Sequence, residues 1–279
     1  MRIAISNIAW NVDEDAAVQT LLHRFAVDAI DIAPGKYFPD PDNVKDCDVR
    51  VVRDKWIAAG IEITGMQSLL FNSVGLNLFG DAASRGAMLK RLSSVARIGS
   101  LLGATRLVFG SPRNRDRGAL SNAAAWEMAV PFFAELGDIA SSHGVMFCLE
   151  PTPSCYGSNF MTNCEETATV VRAVNHPSIR MQFDTGALTI NGESPFEMLA
   201  RHGELIGHVH VSEPLLVPIG DGGTDHEAMA RALSTAMPEQ QLVSIEMVAT
   251  TDEAPLDAVR RAVAATKLWY GPSHRSSPA

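Results

Sequence analysis

Two rhythms of apolar positions alternate along this chain. One is a run of strand length, found at Arg2 to Ser6, Ala29 to Ala33, Ile61 to Gln67, Arg106 to Phe109, Val145 to Glu150, Arg180 to Asp184, Ile206 to Val211 and Leu242 to Glu246. The other places apolar residues at helical spacing, as in Ala16, Val18, Leu21, Leu22 and Phe25, or in the longer face Met88, Leu89, Leu92, Val95, Ile98, Leu101 and Leu102. Strands that alternate with helices pair in parallel, because the helix returns the chain to the starting end of the sheet. Eight such units predict an α/β fold closed as a (β/α)8 barrel. An open doubly wound sheet is the alternative, but it wants a glycine-rich loop after its first strand, where this chain has Ser6-Asn7-Ile8-Ala9-Trp10. One barrel domain over 1–270 is expected, followed by a polar, Pro- and Ser-rich tail at 271–279.

The punctuation agrees with the periodicity. Helix starts are expected at Asp13, at Ser121 or Asn122, at Asn163 with Glu166 three residues on, and at Ser194 followed by Pro195. Gly60, Gly103, Gly144 and Gly203 stand where helices should end.

Several strands finish on a chemically active residue. Val145 to Leu149 stops at Glu150, Ile179 to Phe183 at Asp184 and Leu242 to Ile245 at Glu246, while Ile206 to Val211 carries His208 and His210 at alternate positions, on one face of a strand. All strands of a (β/α)8 barrel point the same way, so their C-terminal ends share the mouth where such barrels keep their active sites. Glu150, Asp184, His210 and Glu246 are therefore expected to meet there. Three carboxylates crowded together raise one another's pKa, and a divalent cation relieves that repulsion. Oxygen-rich ligation with one imidazole favours Mn2+, with Mg2+, Co2+ or Zn2+ as the other candidates.

Composition narrows the partners. The 279 residues carry a formal charge of −9 and are 46% hydrophobic, which suits one substantial core. A net negative chain disfavours nucleic acid or an anionic membrane as partner and leaves a small molecule. The four cysteines show no Cys-x-x-Cys spacing and read as reduced and structural. No apolar run approaches the roughly 20 residues that span a bilayer, and Ile3-Ala4-Ile5 is too short for a signal sequence, so a cytoplasmic protein is expected.

The motifs Cys148-Leu149-Glu150-Pro151, Gln182-Phe183-Asp184-Thr185-Gly186, His208-Val209-His210-Val211-Ser212-Glu213 and Ser244-Ile245-Glu246 resemble, in order and spacing, the metal set of the xylose isomerase-like barrels. That family includes sugar and sugar-phosphate isomerases and epimerases, inosose dehydratases and endonuclease IV. The resemblance covers nearly the whole chain. It implies a divalent metal on Glu150, Asp184, His210 and Glu246, with the two glutamates also exchanging the substrate proton through a metal-stabilised enediolate. It also implies a homodimer or homotetramer. Ketose 3-epimerases of the family place a histidine and an arginine where this chain has Ala187 and Leu216. The same metal site could serve an inosose-type dehydratase. An endonuclease IV-like phosphoesterase would need about three metals and further histidines, and a non-catalytic sugar-binding barrel would need neither glutamate as a base.

Other residues are expected around the mouth. His208 is either a donor that orients ligands or a satisfied core histidine. Glu213, just past the strand, could hold substrate hydroxyls. Arg113 or Arg115, in the loop after the fourth strand, could anchor a phosphate or carboxylate. A second anion site is the loop Ile219-Gly220-Asp221-Gly222-Gly223-Thr224-Asp225-His226, with Asp225 as a helix cap and His226 facing the pocket. Trp10 and Phe71 could wall a sugar's C–H face, and Gln67 and Tyr156 are polar candidates.

Overall fold

A computed structural model describes residues 1–238 and 240–271. The tail read at 271–279 lies, beyond Gly271, outside the described residues. Eight parallel strands close into a barrel in sequential order: β1 Arg2–Ser6, β2 Ala29–Ile32, β3 Glu62–Met66, β4 Arg106–Phe109, β5 Met146–Leu149, β6 Ile179–Asp184, β7 Ile206–Ser212 and β8 Leu242–Glu246. The helices around them are α1 Asp15–Arg24, α2 Asp46–Ala58, α3 Ala82–Leu102, α4 Asn122–Ser142, α5 Cys164–Val174, α6 Thr185–Asn191, α7 Pro195–His202, α8 His226–Ala236 and α9 Pro255–Tyr270. No helix among the described residues is long and apolar enough to cross a membrane.

Strand alternation divides the core in two. Ile3, Ile5, Ile30, Ile32, Phe183, Val209, Val211, Val243 and Ile245 belong to one continuous apolar cluster with the helices, and each is buried. Burying each such side chain contributes about 1.5–3 kcal/mol. The opposite parity holds Asp31, Gln182, His208, His210, Ser244 and Glu246, a polar set inside the barrel. Two register shifts adjust it: one between Ile30 and Asp31 against β3, the other between Met181 and Gln182 against β7. The second sets His208 beside Gln182 and His210 beside Asp184.

The caps follow the sequence pattern at Ser121, Asn163 and Ser194, whose side chains accept from Ala124, Glu166 and Glu197 N–H groups. Gly60, Gly103 and Gly144 adopt positive φ after helices as expected. One expectation is corrected. Asp13 lies inside a 3-10 turn, Val12–Glu14, that Asn11 and Glu14 box in, so it caps nothing. Gly203 closes α7 as expected, its N–H donating to Leu199 O, but with φ −56° rather than in the left-handed region.

Candidate metal centre

The ends of β5 to β8 bring Glu150, Asp184, His210 and Glu246 together. One ligand atom from each lies within 4.8 Å of the others. His210 Nδ1 faces all three carboxylates, 3.1 Å from Glu246 Oε2, 3.5 Å from Glu150 Oε1 and 4.0 Å from Asp184 Oδ2. Asp184 is also the N-cap of α6. Its Oδ1 accepts from Ala187 N–H at 2.6 Å, and Ser212 Oγ donates to Oδ2 at 2.8 Å. Gln67 Nε2 donates to Glu246 Oε1 at 2.5 Å. Glu150 Oε1 is buried and accepts no hydrogen bond.

Burial, together with the charges of Glu150 and Glu246, pushes Asp184 up to about 7, and burial raises Glu150 as well. Burial works against a charged imidazole at His210, yet Glu246 and Glu150 outweigh it and hold its pKa well above the usual value. Such a set of hard oxygens with one imidazole, one oxygen lacking any donor, fits a divalent cation. Above the cluster lies a cavity of about 210 Å³, walled by residues 67–71 and 108–111 and by Glu150 and Glu246. Asp184 and His210 sit behind the two glutamates and do not line it.

A model of the xylose isomerase-like TIM barrel matches residues 20–268. The chain belongs to the xylose isomerase-like TIM barrel family. A D-psicose 3-epimerase of Ruminiclostridium cellulolyticum is 27% identical over 88 residues, a stretch that spans 32% of this chain and 30% of that protein. A solved D-psicose 3-epimerase with D-tagatose, from Clostridium cellulolyticum H10, superposes with a TM-score of 0.80 at 19% identity, covering 97% of this chain and 99% of that one. The IOLI protein with a bound zinc atom superposes at 0.75 with 17% identity, over 99% and 100% of the two chains. At those identities the likeness to solved barrels is one of fold.

The remaining expected site residues of this family member divide sharply. Gln67 and Phe71 reach the cavity. Tyr156 Oη is engaged, accepting from Leu215 N–H at 2.7 Å. Trp10 is not a wall of the mouth: it is 1% exposed, donates through Nε1 to Asp15 at 2.9 Å and packs on Trp56. His208 is the satisfied core histidine, 2.7 Å from Asp31 Oδ2 in the barrel interior. The sequence pattern misses Asp31, although a lone acid inside Ala29-Ile30-Asp31-Ile32 is visible there. Burial opposes its charge, but His208 prevails and brings its pKa to about 2. Gly65 makes room for it, since a Cβ there would stand 2.6 Å from Asp31 Oδ1.

Arg115 is fully buried and cannot reach a substrate. It donates to Glu150 O at 2.8 Å and to Thr152 Oγ1, which fixes the backbone beneath Glu150. Arg113 is exposed and does not line the cavity. Glu213 and His226 are likewise turned inward, 1% and 2% exposed and 3.1 Å apart. Asp225 caps α8 as expected, accepting from Ala228 N–H at 2.9 Å. Arg115, Glu213 and His226 each find their partners inside the protein, a choice that spacing alone does not reveal.

Proposed function

We propose that this barrel is a divalent-metal-dependent sugar epimerase or isomerase that works by proton transfer next to a carbonyl. The observation that carries the reading is the division within the cluster. Glu150 and Glu246 alone of the four residues face the cavity, while Asp184 and His210 back them. A site for binding alone has no need of two carboxylates at the reacting centre.

Glu150, Asp184, His210 and Glu246 would hold the ion, Mn2+ being favoured by the ligand set. When bound, the ion polarises a ketone and its neighbouring hydroxyl and so acidifies the C–H between them. One glutamate removes that proton from carbon. The other, protonated, delivers a proton to the opposite face, which inverts the carbon, and the two exchange protons with solvent through the cavity before the next turnover. Gln67 fixes Glu246 by its hydrogen bond to Oε1, leaving Oε2 turned to the cluster. Arg115 holds the backbone oxygen of Glu150 and so the direction of its side chain.

The test is solvent exchange. Mn2+-loaded protein, incubated in D2O with a panel of five- and six-carbon ketoses, should place deuterium on the carbon next to the carbonyl of at least one of them and form its epimer or aldose. Glu150→Gln and Glu246→Gln should each lower that rate by a factor of about 100 to 10,000. Exchange at the wild-type rate in either variant sinks the assignment of that glutamate.

A further inference from the structure

Of the two anion sites that the sequence suggests at this mouth, the one after β7 is already filled by the protein itself, and the one after β4 has lost Arg115 to internal partners. In the loop after β7, Gly220 N–H donates to Glu213 Oε1 at 2.8 Å and Thr224 N–H to Glu213 Oε2 at 2.9 Å. His226 Nε2 donates to Oε1 at 3.1 Å, and Tyr270 O–H donates to His226 Nδ1 at 2.9 Å, which leaves the first nitrogen as the donor. Backbone N–H groups before a helix, after strand seven, are where such barrels commonly hold a phosphate. Here a carboxylate takes the place of the phosphate. The loop is closed tightly on it: a Cβ on Gly222 would stand 2.7 Å from Glu213 Cβ and 2.8 Å from Oε2.

In the loop after β4 one candidate, Arg113, is exposed and does not line the cavity, and the other is engaged within the protein. Arg115 is buried among Glu150 O, Gly110 O and Thr152. Arg117 donates to Asn159 O at 2.8 Å, Leu120 O at 2.9 Å and Asn122 Oδ1 at 2.6 Å. Among the described residues no Lys, Arg or His lines the cavity, whose charged walls are Glu150 and Glu246. Three carboxylates against one divalent ion leave the centre net negative, so a dianionic phosphate gains no partner and meets like charge.

We infer that the substrate is an uncharged, unphosphorylated polyhydroxy ketone, and that Glu213 acts as a built-in occupant of the barrel's phosphate cradle. The inference rests on the epimerase reading for the ketone and on the loop geometry for the missing phosphate.

Two experiments separate these parts. In the first, Mn2+-loaded wild type is offered free ketoses and the terminal phosphate monoester of each, and deuterium uptake is followed by NMR. The free sugar should be processed with kcat/KM about 100-fold or more above its phosphate. Equal or faster exchange of a phosphate overturns the inference. No exchange with any ketose, by protein that binds Mn2+, refutes the epimerase reading itself, and the second experiment then decides the anion claim alone. That experiment follows the melting temperature of metal-free protein in inorganic phosphate against chloride at matched ionic strength. The wild type should not respond. Glu213→Ala, its cradle emptied, should melt lower and be raised by phosphate in a saturable way. Saturable stabilisation of the wild type, or a folded Glu213→Ala that ignores phosphate, contradicts the cradle. If Glu213→Ala does not fold, the wild-type titration still decides the claim.

Discussion

Gly110 sets the position of Glu150, and adding one methyl group there should disable the centre without unfolding the barrel. An ideal Cβ on Gly110 would lie 1.8 Å from Glu150 Oε2 and 3.0 Å from its Cδ, whereas side-chain carbons essentially never approach other heavy atoms closer than 3.0 Å. The carboxylate must therefore retreat by more than 1 Å, roughly, carrying Oε1 away from its place 3.5 Å from His210 Nδ1. Gly110 does not have a positive φ, so Gly110→Ala adds no backbone strain, and the far end of a flexible side chain can move. A misplacement of about 1 Å at a reacting centre costs on the order of 100-fold in rate, about 2.7 kcal/mol of transition-state stabilisation. Gly110→Ala should thus show Mn2+ affinity lowered by about 10-fold or more and ketose exchange lowered by about 100-fold. Metal-free stability by urea unfolding should stay within about 0.5 kcal/mol of wild type. Gly35→Ala is the control, because its Cβ would meet nothing within 4 Å. Wild-type metal binding and exchange in Gly110→Ala would refute the claim that Glu150 acts from the observed position.

Three further outcomes follow from the buried charges. Glu213 is held at about 2 in the folded protein: burial opposes its charge, but the bonds from His226, Thr224 and Gly220 prevail. That contribution is complete above its ordinary value near 4.5 and is lost as pH falls toward 2, so the stability gap between wild type and Glu213→Gln, up to about 3 kcal/mol, should close over that window in urea titrations. Asp184 behaves oppositely. Its folded value of about 7 lies above the ordinary 3.8, so the metal-free protein loses stability as pH rises from about 4 to 7, and Mn2+ should raise the melting temperature more at about pH 7.5 than at about pH 5.5. An equal shift at both would count against a carboxylate-bound ion. Arg115→Met removes the buried bonds to Glu150 O and Thr152 and should cost about 2–4 kcal/mol in stability besides lowering exchange. An Arg115→Met variant as stable as wild type would show the guanidinium to be dispensable.

The architecture is legible because it is written twice, in the eight apolar runs and in the helical spacing between them. The four-residue cluster is legible for a related reason: in a parallel barrel, ending a strand is enough to place a side chain at the mouth. Depth and partnership are not. Glu213 and Arg115 follow strands at the proper end of the barrel and His226 opens α8 there, yet each turns inward to satisfy backbone or side-chain groups, and nothing in their spacing distinguishes an anchor from a brace. Asp31 escapes the pattern because a single acid in an otherwise apolar strand gives no hint of the histidine 177 positions away that pairs with it. Gly110 stands out only as part of an arginine loop, since steric clearance for a residue on the next strand is a property of the folded barrel alone.

The central claim is that Glu150, Asp184, His210 and Glu246 hold one divalent ion. Elemental analysis after gentle purification, with Mn2+ titration of the wild type, His210→Ala and Glu246→Gln, tests it most directly. About one equivalent of a divalent metal is expected in the wild type, with a clear loss of content and affinity in both variants. A wild type that binds no Mn2+, Mg2+, Co2+ or Zn2+, or variants that bind as it does, would contradict the account and leave the barrel without its proposed chemistry.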